Sequence, residues 1–374
     1  MSASPDQIES RVQKTKTHTS FGLLRLALAV IVAIWHASDV APIKGWIATG
    51  SRYGTMAVFV FFVLSGFVIT EAARQFYVGR PVAYMVNRLL RLYPQYLLCL
   101  LMTIVVVALP PFGQPLPQTA MQVPNLFENA FSIFPFAGIF DHFFTNGRRT
   151  DFISIVWAVR VEFTFYACVF FILSAATFAQ QMTTLSIWWA CVLALTANAV
   201  LTILLDLHAA SYYAAFIPLF VVGICLSLLF GKQKTHMVHI WYGLGSVALL
   251  LGAMQALIYP KYMVNLPTVV ESWDSFQWLG PAVFFILVGL LAVLLFLPIP
   301  ERFIRLDQAA GELSYLVYLC HLCAVYFAQK YLPYSILNIF FVPIAGVFLA
   351  MSLATISERP LLRLRERVRR TGLP

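Results

Sequence analysis

Apolar runs close to twenty residues long recur from one end of this 374-residue chain to the other. About 20 residues of helix cross a bilayer core of ~30 Å, so each run has the length of a membrane span. Composition agrees: 60% of residues are hydrophobic and only 11% are charged. Soluble domains carry about 25% charged residues, so no soluble fold suits this sequence. The fold class expected is all-α, a polytopic membrane helix bundle with about ten transmembrane helices.

The spans are read at 21–38, 55–73, 87–109, 152–176, 186–206, 212–230, 238–258, 276–298, 312–331 and 336–356. The first is kept as a helix, not a cleaved signal. It follows a polar tail, shows no convincing small-residue cleavage site, and is interrupted by Arg25 and His36. Lys and Arg set the orientation. With the N-terminus inside, the outer segments hold only Lys44, Arg52, Arg148, Arg149, Lys261 and Lys330. Arg25 and Arg160 lie within spans, and every other Lys and Arg falls on the inner side. That bias places both termini in the cytoplasm of an inner-membrane protein. Residues 1–20 then form a cytoplasmic tail, 21–358 the transmembrane domain, and 359–374 a basic cytoplasmic tail.

Net charge is +9. The cations sit between apolar runs and no nucleic-acid-binding pattern occurs, so the basicity reads as topology and the partner as the lipid bilayer. All six cysteines fall inside apolar runs and read as packing residues, not disulfides. Cys320 and Cys323 flank His321, but no metal is expected. A Walker loop, a dinucleotide-binding turn and a zinc-protease motif are all missing from the sequence. The longest outer segment, 110–151, opens Pro-rich and then carries a semi-apolar stretch, 125–144, suited to an interfacial helix.

Polar groups at membrane depth are costly and mark cavities, partners or function. Arg25 and His36 are eleven residues apart on the first span, so both point from one face. The axial separation is roughly 16–17 Å at ~1.5 Å per residue. A long thin ligand with an anionic end fits that spacing; lipid snorkelling and a structural histidine are the alternative. Ser65 and Gly66 interrupt FFVLSGFVIT (61–70), where close helix packing or an opening beside a ligand are both open. Arg88 and Arg91 share a face at the start of the third span, as a phosphate clamp or as ordinary positive-inside anchors. Arg160 and Glu162, two apart in the fourth span, do not pair with each other. Glu162 and Tyr166 share a face, and the carboxylate either orients a histidine or is structural. Ser314, Tyr318 and His321 share one face of the ninth span, with a hydrogen-bonded structural histidine as the alternative.

In this order the motifs resemble the acyltransferase-3 family of membrane acyltransferases, over nearly the whole chain. The matching positions are Arg25 with His36, FFVLSGF at 61–67, and Arg88 and Arg91 ahead of Tyr93 and Pro94. Then follow Trp157, Glu162, Phe165 and Tyr166, and finally Ser314, Tyr315, Tyr318 and His321. The chain departs from the family pattern at Ala158, where serine is common, and at Arg160. Some relatives carry a soluble C-terminal hydrolase-like domain. Here about eighteen residues follow the last span, so the membrane domain is expected to act alone or with a separate periplasmic or polysaccharide-assembly protein.

The resemblance implies O-acyl transfer from cytoplasmic acyl-CoA, by default acetyl-CoA, to a hydroxyl of a glycan or glycolipid acceptor. Under it, Arg25, Arg88 and Arg91 hold the nucleotide. His36 acts as base or transient acyl carrier. Glu162 orients His36 or the acceptor, and His321 donates to the thioester carbonyl. Ser65, Tyr166, Ser314 and Tyr318 complete the site. A transporter of organic acids or modified sugars is the rival reading, since intramembrane charges suit it too.

Overall fold

The computed structural model describes residues 21–42, 52–108, 121–134, 151–179, 216–230, 286, 289–291 and 300–371. The expected spans 186–206 and 238–258, and nearly all of 276–298, lie outside the described residues. What is described is helical, without strand. The helices are α1 (Gly22–Ala37), α2 (Arg52–Ala72), α3 (Pro81–Ala108), α4 (Val123–Phe131), α5 (Val156–Ala179), α6 (Ile217–Phe230), α7 (Glu301–Tyr331) and α8 (Asn338–Thr371). Among the described residues, six helices are long and apolar enough to cross a membrane: α1, α2, α3, α5, α7 and α8. The chain is a multi-pass membrane protein.

α7 is the hub, packed against α1, α8 and α3, while α2 packs on α6 and α1. Close approach is set by small residues. A Cβ on Gly22 would stand 1.6 Å from the Asp307 carbonyl oxygen, so only glycine lets α1 start against α7. At that crossing Asp307, 2% exposed, accepts a hydrogen bond from the Leu23 N–H at 2.9 Å. α7 thereby caps an N-terminus for which Phe21 offers no side-chain bond. α1 ends in a 3-10 turn, Ser38–Val40, where the Ser38 hydroxyl donates to the Trp35 carbonyl.

Two helices outrun the predicted spans. α7 begins at Glu301 instead of 312, and α8 runs to Thr371 instead of 356. Hydropathy registers only the apolar stretch, whereas a helix also continues through strong formers such as the Leu, Arg and Glu of 361–370. The basic stretch expected as a tail is therefore helical through Thr371.

α4 also differs from the expected interfacial helix. Its Asn125, Glu128 and Asn129 are almost wholly buried. Tyr96, near the middle of α3, donates its hydroxyl to the Asn129 carbonyl. Phe134, just beyond α4, packs its ring on Tyr93 and Phe163. Arg160 donates to the Ser132 carbonyl at 2.7 Å and to the Ser132 hydroxyl at 3.1 Å. The stretch 123–134 therefore docks its polar side on the bundle and leaves Val123 and Phe127 exposed.

Candidate active site

The site begins where α1, α3, α7 and α8 meet. A cavity of about 240 Å³ opens there, with Arg25, Arg91 and Arg365 in its wall. Asp307 and Glu312 are the carboxylates beside it, and Asp307 is already engaged by the Leu23 N–H. Arg25 feels Arg91 and Arg88 as like charges and Glu162 as a counter-charge. Arg365, outside the membrane-spanning part of α8, is held down to about 10 by burial first, then by Arg91 and Arg88. Cations gathered in this way favour an anionic guest.

A second, smaller cavity of about 60 Å³ lies further in. It shares Arg25, Arg91 and Tyr315 with the first, and adds Ser65, Glu162, Ser314 and Tyr318. Glu162 Oε1 accepts from the Ser65 hydroxyl at 2.6 Å and from the Tyr166 hydroxyl at 2.5 Å. Ser65 reaches this wall because Gly66 lets α2 press on α6: a Cβ there would stand 2.1 Å from the Phe220 carbonyl oxygen. Of this pair, Gly66 packs closely and Ser65 lines the cavity.

Tyr318 links this cavity to the imidazoles. Its ring centroid is 6.1 Å from that of His321, and His321 stacks on His36 at 5.2 Å. His321 is fully buried, and its Nδ1 lies 3.3 Å from the Val317 carbonyl. A carbonyl only accepts, so a hydrogen bond there uses the Nδ1 proton and leaves Nε2 turned away from the backbone. His36 Nδ1 lies 3.6 Å from the Asp39 carboxylate on the 3-10 turn. Nε2 of both rings is buried with no hydrogen-bond partner among the described residues. Two ring nitrogens are therefore shielded from solvent on stacked imidazoles.

The structure thus gathers Arg25, Arg91, Ser65, Glu162, Ser314 and Tyr318 around one cavity; Tyr166 stands behind Glu162, His321 behind Tyr318, and His36 behind His321, none of the three in the cavity wall. Arg88 stands apart. It is buried over the rings of Tyr84 and Tyr166, at 5.5 and 5.8 Å, and lines neither cavity. Glu162 engages Ser65 and Tyr166, and the carboxylate beside His36 is Asp39. His321 turns Nδ1 to Val317 and leaves Nε2 as the nitrogen that a guest would meet. Cys320 and Cys323 point into α3, at Cys99 and Thr103, as packing residues do. Sequence reasoning missed Asp39 and Arg365. The available signals were the three-residue spacing of Asp39 from His36 and the strong helix formers of 361–370.

A family model described as an acyltransferase domain matches residues 18–357, nearly the whole chain. No curated protein and no solved structure matches.

Proposed function

The chain belongs to the acyltransferase-3 family, and from that premise we propose that it moves an acyl group, by default acetyl, from cytoplasmic acyl-CoA to a hydroxyl of a cell-surface or exported glycan. The carrying observation is the pair of cavities that share Arg25, Arg91 and Tyr315 and end at Tyr318, against the two imidazoles. The donor's anionic end lies at the arginine mouth and its thioester end points toward His36. The inner cavity is only about 60 Å³, so the thiol-bearing arm enters as Tyr315 and Tyr318 give way.

His36 is the base. Its Nε2 takes the proton of the acceptor hydroxyl as the oxygen attacks the thioester carbonyl. The tetrahedral intermediate then expels the thiolate, and His36 returns the proton to sulfur, leaving an ester and free CoA. Asp39, 3.6 Å from Nδ1, offers a negative charge to the ring as Nε2 takes the proton; His321 backs the ring. Glu162, fixed by Ser65 and Tyr166, orients the donor arm or the acceptor from the cavity wall. Arg88 supports the fold beneath Arg91 by cation–π contact. The acceptor approaches from the outer side, past the stretch that contains α4. We place the protein in the cytoplasmic membrane.

Labelled acetyl-CoA and candidate glycans, mixed with the purified protein, give covalent product under this reading. Substrate flux without product would instead identify a carrier. His36→Ala is expected to abolish transfer while leaving the protein inserted and folded. Normal turnover in a well-folded variant would end the mechanism.

A further inference from the structure

We infer that α8 supplies the third arm of the donor-phosphate site: Arg365 joins Arg25 and Arg91 in gripping the phosphates of a nucleotide thioester. The inference rests on the donor reading above and extends it to the part of α8 that lies past the matched domain, which ends at residue 357.

Three observations carry it. First, the mouth cavity draws one guanidinium from each of three helices far apart in the chain: Arg25 on α1, Arg91 on α3 and Arg365 on α8. Leu361 and Leu362, from the turn before Arg365, complete that side of the wall. Three forked donors around one space suit a pyrophosphate, whose oxygens accept from several directions at once.

Second, this end of α8 is fastened down. Asn87 Nδ2 donates to the Arg365 carbonyl at 3.1 Å, and Asn87 Oδ1 lies 3.5 Å from Arg365 Nε. Arg80 donates to the Val368 and Arg369 carbonyls at 3.3 and 3.1 Å, meeting the negative end of the helix. Arg369 stands 3.4 Å over the Phe76 ring, and Val368 is buried. A tail that served only as a topological charge would need none of these fastenings. They fix the guanidinium of Arg365 relative to Arg91, as a polydentate site requires.

Third, among the described residues that line the mouth, three guanidiniums stand beside two carboxylates, with Glu162 a further counter-charge to Arg25. Asp307 and Glu312 are the carboxylates of the mouth, and Asp307 already accepts the Leu23 N–H. Burial and the fields of Arg91 and Arg88 act against the charge on Arg365. A bound polyanion relieves that opposition, and the relief appears as affinity.

The experiment uses the full chain in phosphatidylcholine nanodiscs, with CoA and pantetheine as calorimetric probes. R365Q should weaken CoA binding roughly ten- to hundredfold, the range for a lost charge-assisted contact to phosphate. It should leave pantetheine affinity and thermal stability unchanged. R363Q, on the same helix but outside the cavity lining, should bind CoA as wild type does, and R365K should recover part of the loss. Wild-type CoA affinity in R365Q overturns the inference while leaving the donor reading intact. Equal loss of pantetheine and CoA, with a lowered Tm, makes Arg365 a structural residue and also overturns it. So does a difference between wild type and R365Q that appears only with phosphatidylglycerol in the disc, because the guanidinium then serves lipid headgroups. If the wild type binds no CoA, the donor reading itself fails.

Discussion

At the residue scale the proposed chemistry turns on two stacked imidazoles whose Nε2 atoms are buried with no partner among the described residues. Their neighbours differ, and that difference is the ground for proposing His36 as the base. His321 Nδ1 faces a backbone carbonyl, which is neutral and fixed by the helix. His36 Nδ1 faces a carboxylate, which strengthens as a partner once the ring gains a proton. Asp39 is therefore assigned as a positioning residue for His36. Its carboxylate is 59% exposed and 3.6 Å away, so its effect is modest, ~1 kcal/mol or less. Asp39→Asn is expected to lower kcat about fivefold with KM unchanged, and Asp39→Glu to restore part of it. An unchanged kcat in Asp39→Asn would remove Asp39 from the mechanism. Much of this residue set was legible in the sequence. The eleven-residue interval puts Arg25 and His36 on one face, and four-residue spacing puts Tyr166 on Glu162. Asp39 was not, because a polar residue just past an apolar run reads as ordinary loop. Arg365 was hidden among other tail arginines for the same reason.

At the element scale the cavities exist because certain helices cross closely. The α2–α6 crossing beside the inner cavity is one of these: Gly66 meets the Phe220 carbonyl, and Gly223 in return meets the Val63 carbonyl. Replacing Gly66 by Ala sets two effects against each other. Helix propensity favours alanine by ~1 kcal/mol. Against it, a Cβ 2.1 Å from a backbone oxygen forces two helices apart, and overpacking costs ~1–3 kcal/mol even when only side chains must move. The clash wins, because a backbone carbonyl within a helix has no rotamer to adopt. Gly66→Ala should lower Tm in detergent by several degrees and displace Ser65 from Glu162, reducing turnover as well. Unaltered stability would mean that α2 and α6 do not cross this closely. Apolar period and length located α1, α2, α3 and α5 to within a few residues. They could not show that α7 begins at Glu301 or that α8 reaches Thr371, since helix persists in water wherever propensity and docking favour it. Nor could they place α4 beside the middle of α3, because that position depends on Tyr96 and Arg160 from other helices finding its backbone.

At the scale of the whole molecule, the path from arginines to imidazoles has a direction, and that direction must match the side from which a cytoplasmic donor arrives. α8 is the element that tests it. Its candidate span is Asn338–Ser357, and the same helix continues to Thr371 past the arginine mouth. Leu337, exposed just before α8, and Arg363, exposed on its extension, therefore lie toward opposite ends of one continuous helix, which carries Pro343 and Pro360. About 26 residues at ~1.5 Å separate them by roughly 39 Å, more than the hydrocarbon core. The Lys and Arg bias puts the Arg363 end inside. In a variant with its native cysteines replaced, a cysteine at 337 should react with a membrane-impermeant maleimide added to intact cells. One at 363 should react only after the cells are opened. The reverse pattern would put the arginine mouth outside, where acyl-CoA is not supplied, and would exclude the proposed donor while leaving the cavities and the family membership untouched. Reaction of both from one side would mean that α8 does not span the bilayer, and Arg365 would then lose its place beside Arg25 and Arg91. Only the expected pattern lets one helix anchor the bundle and also carry an arginine to the site where a cytoplasmic nucleotide first makes contact.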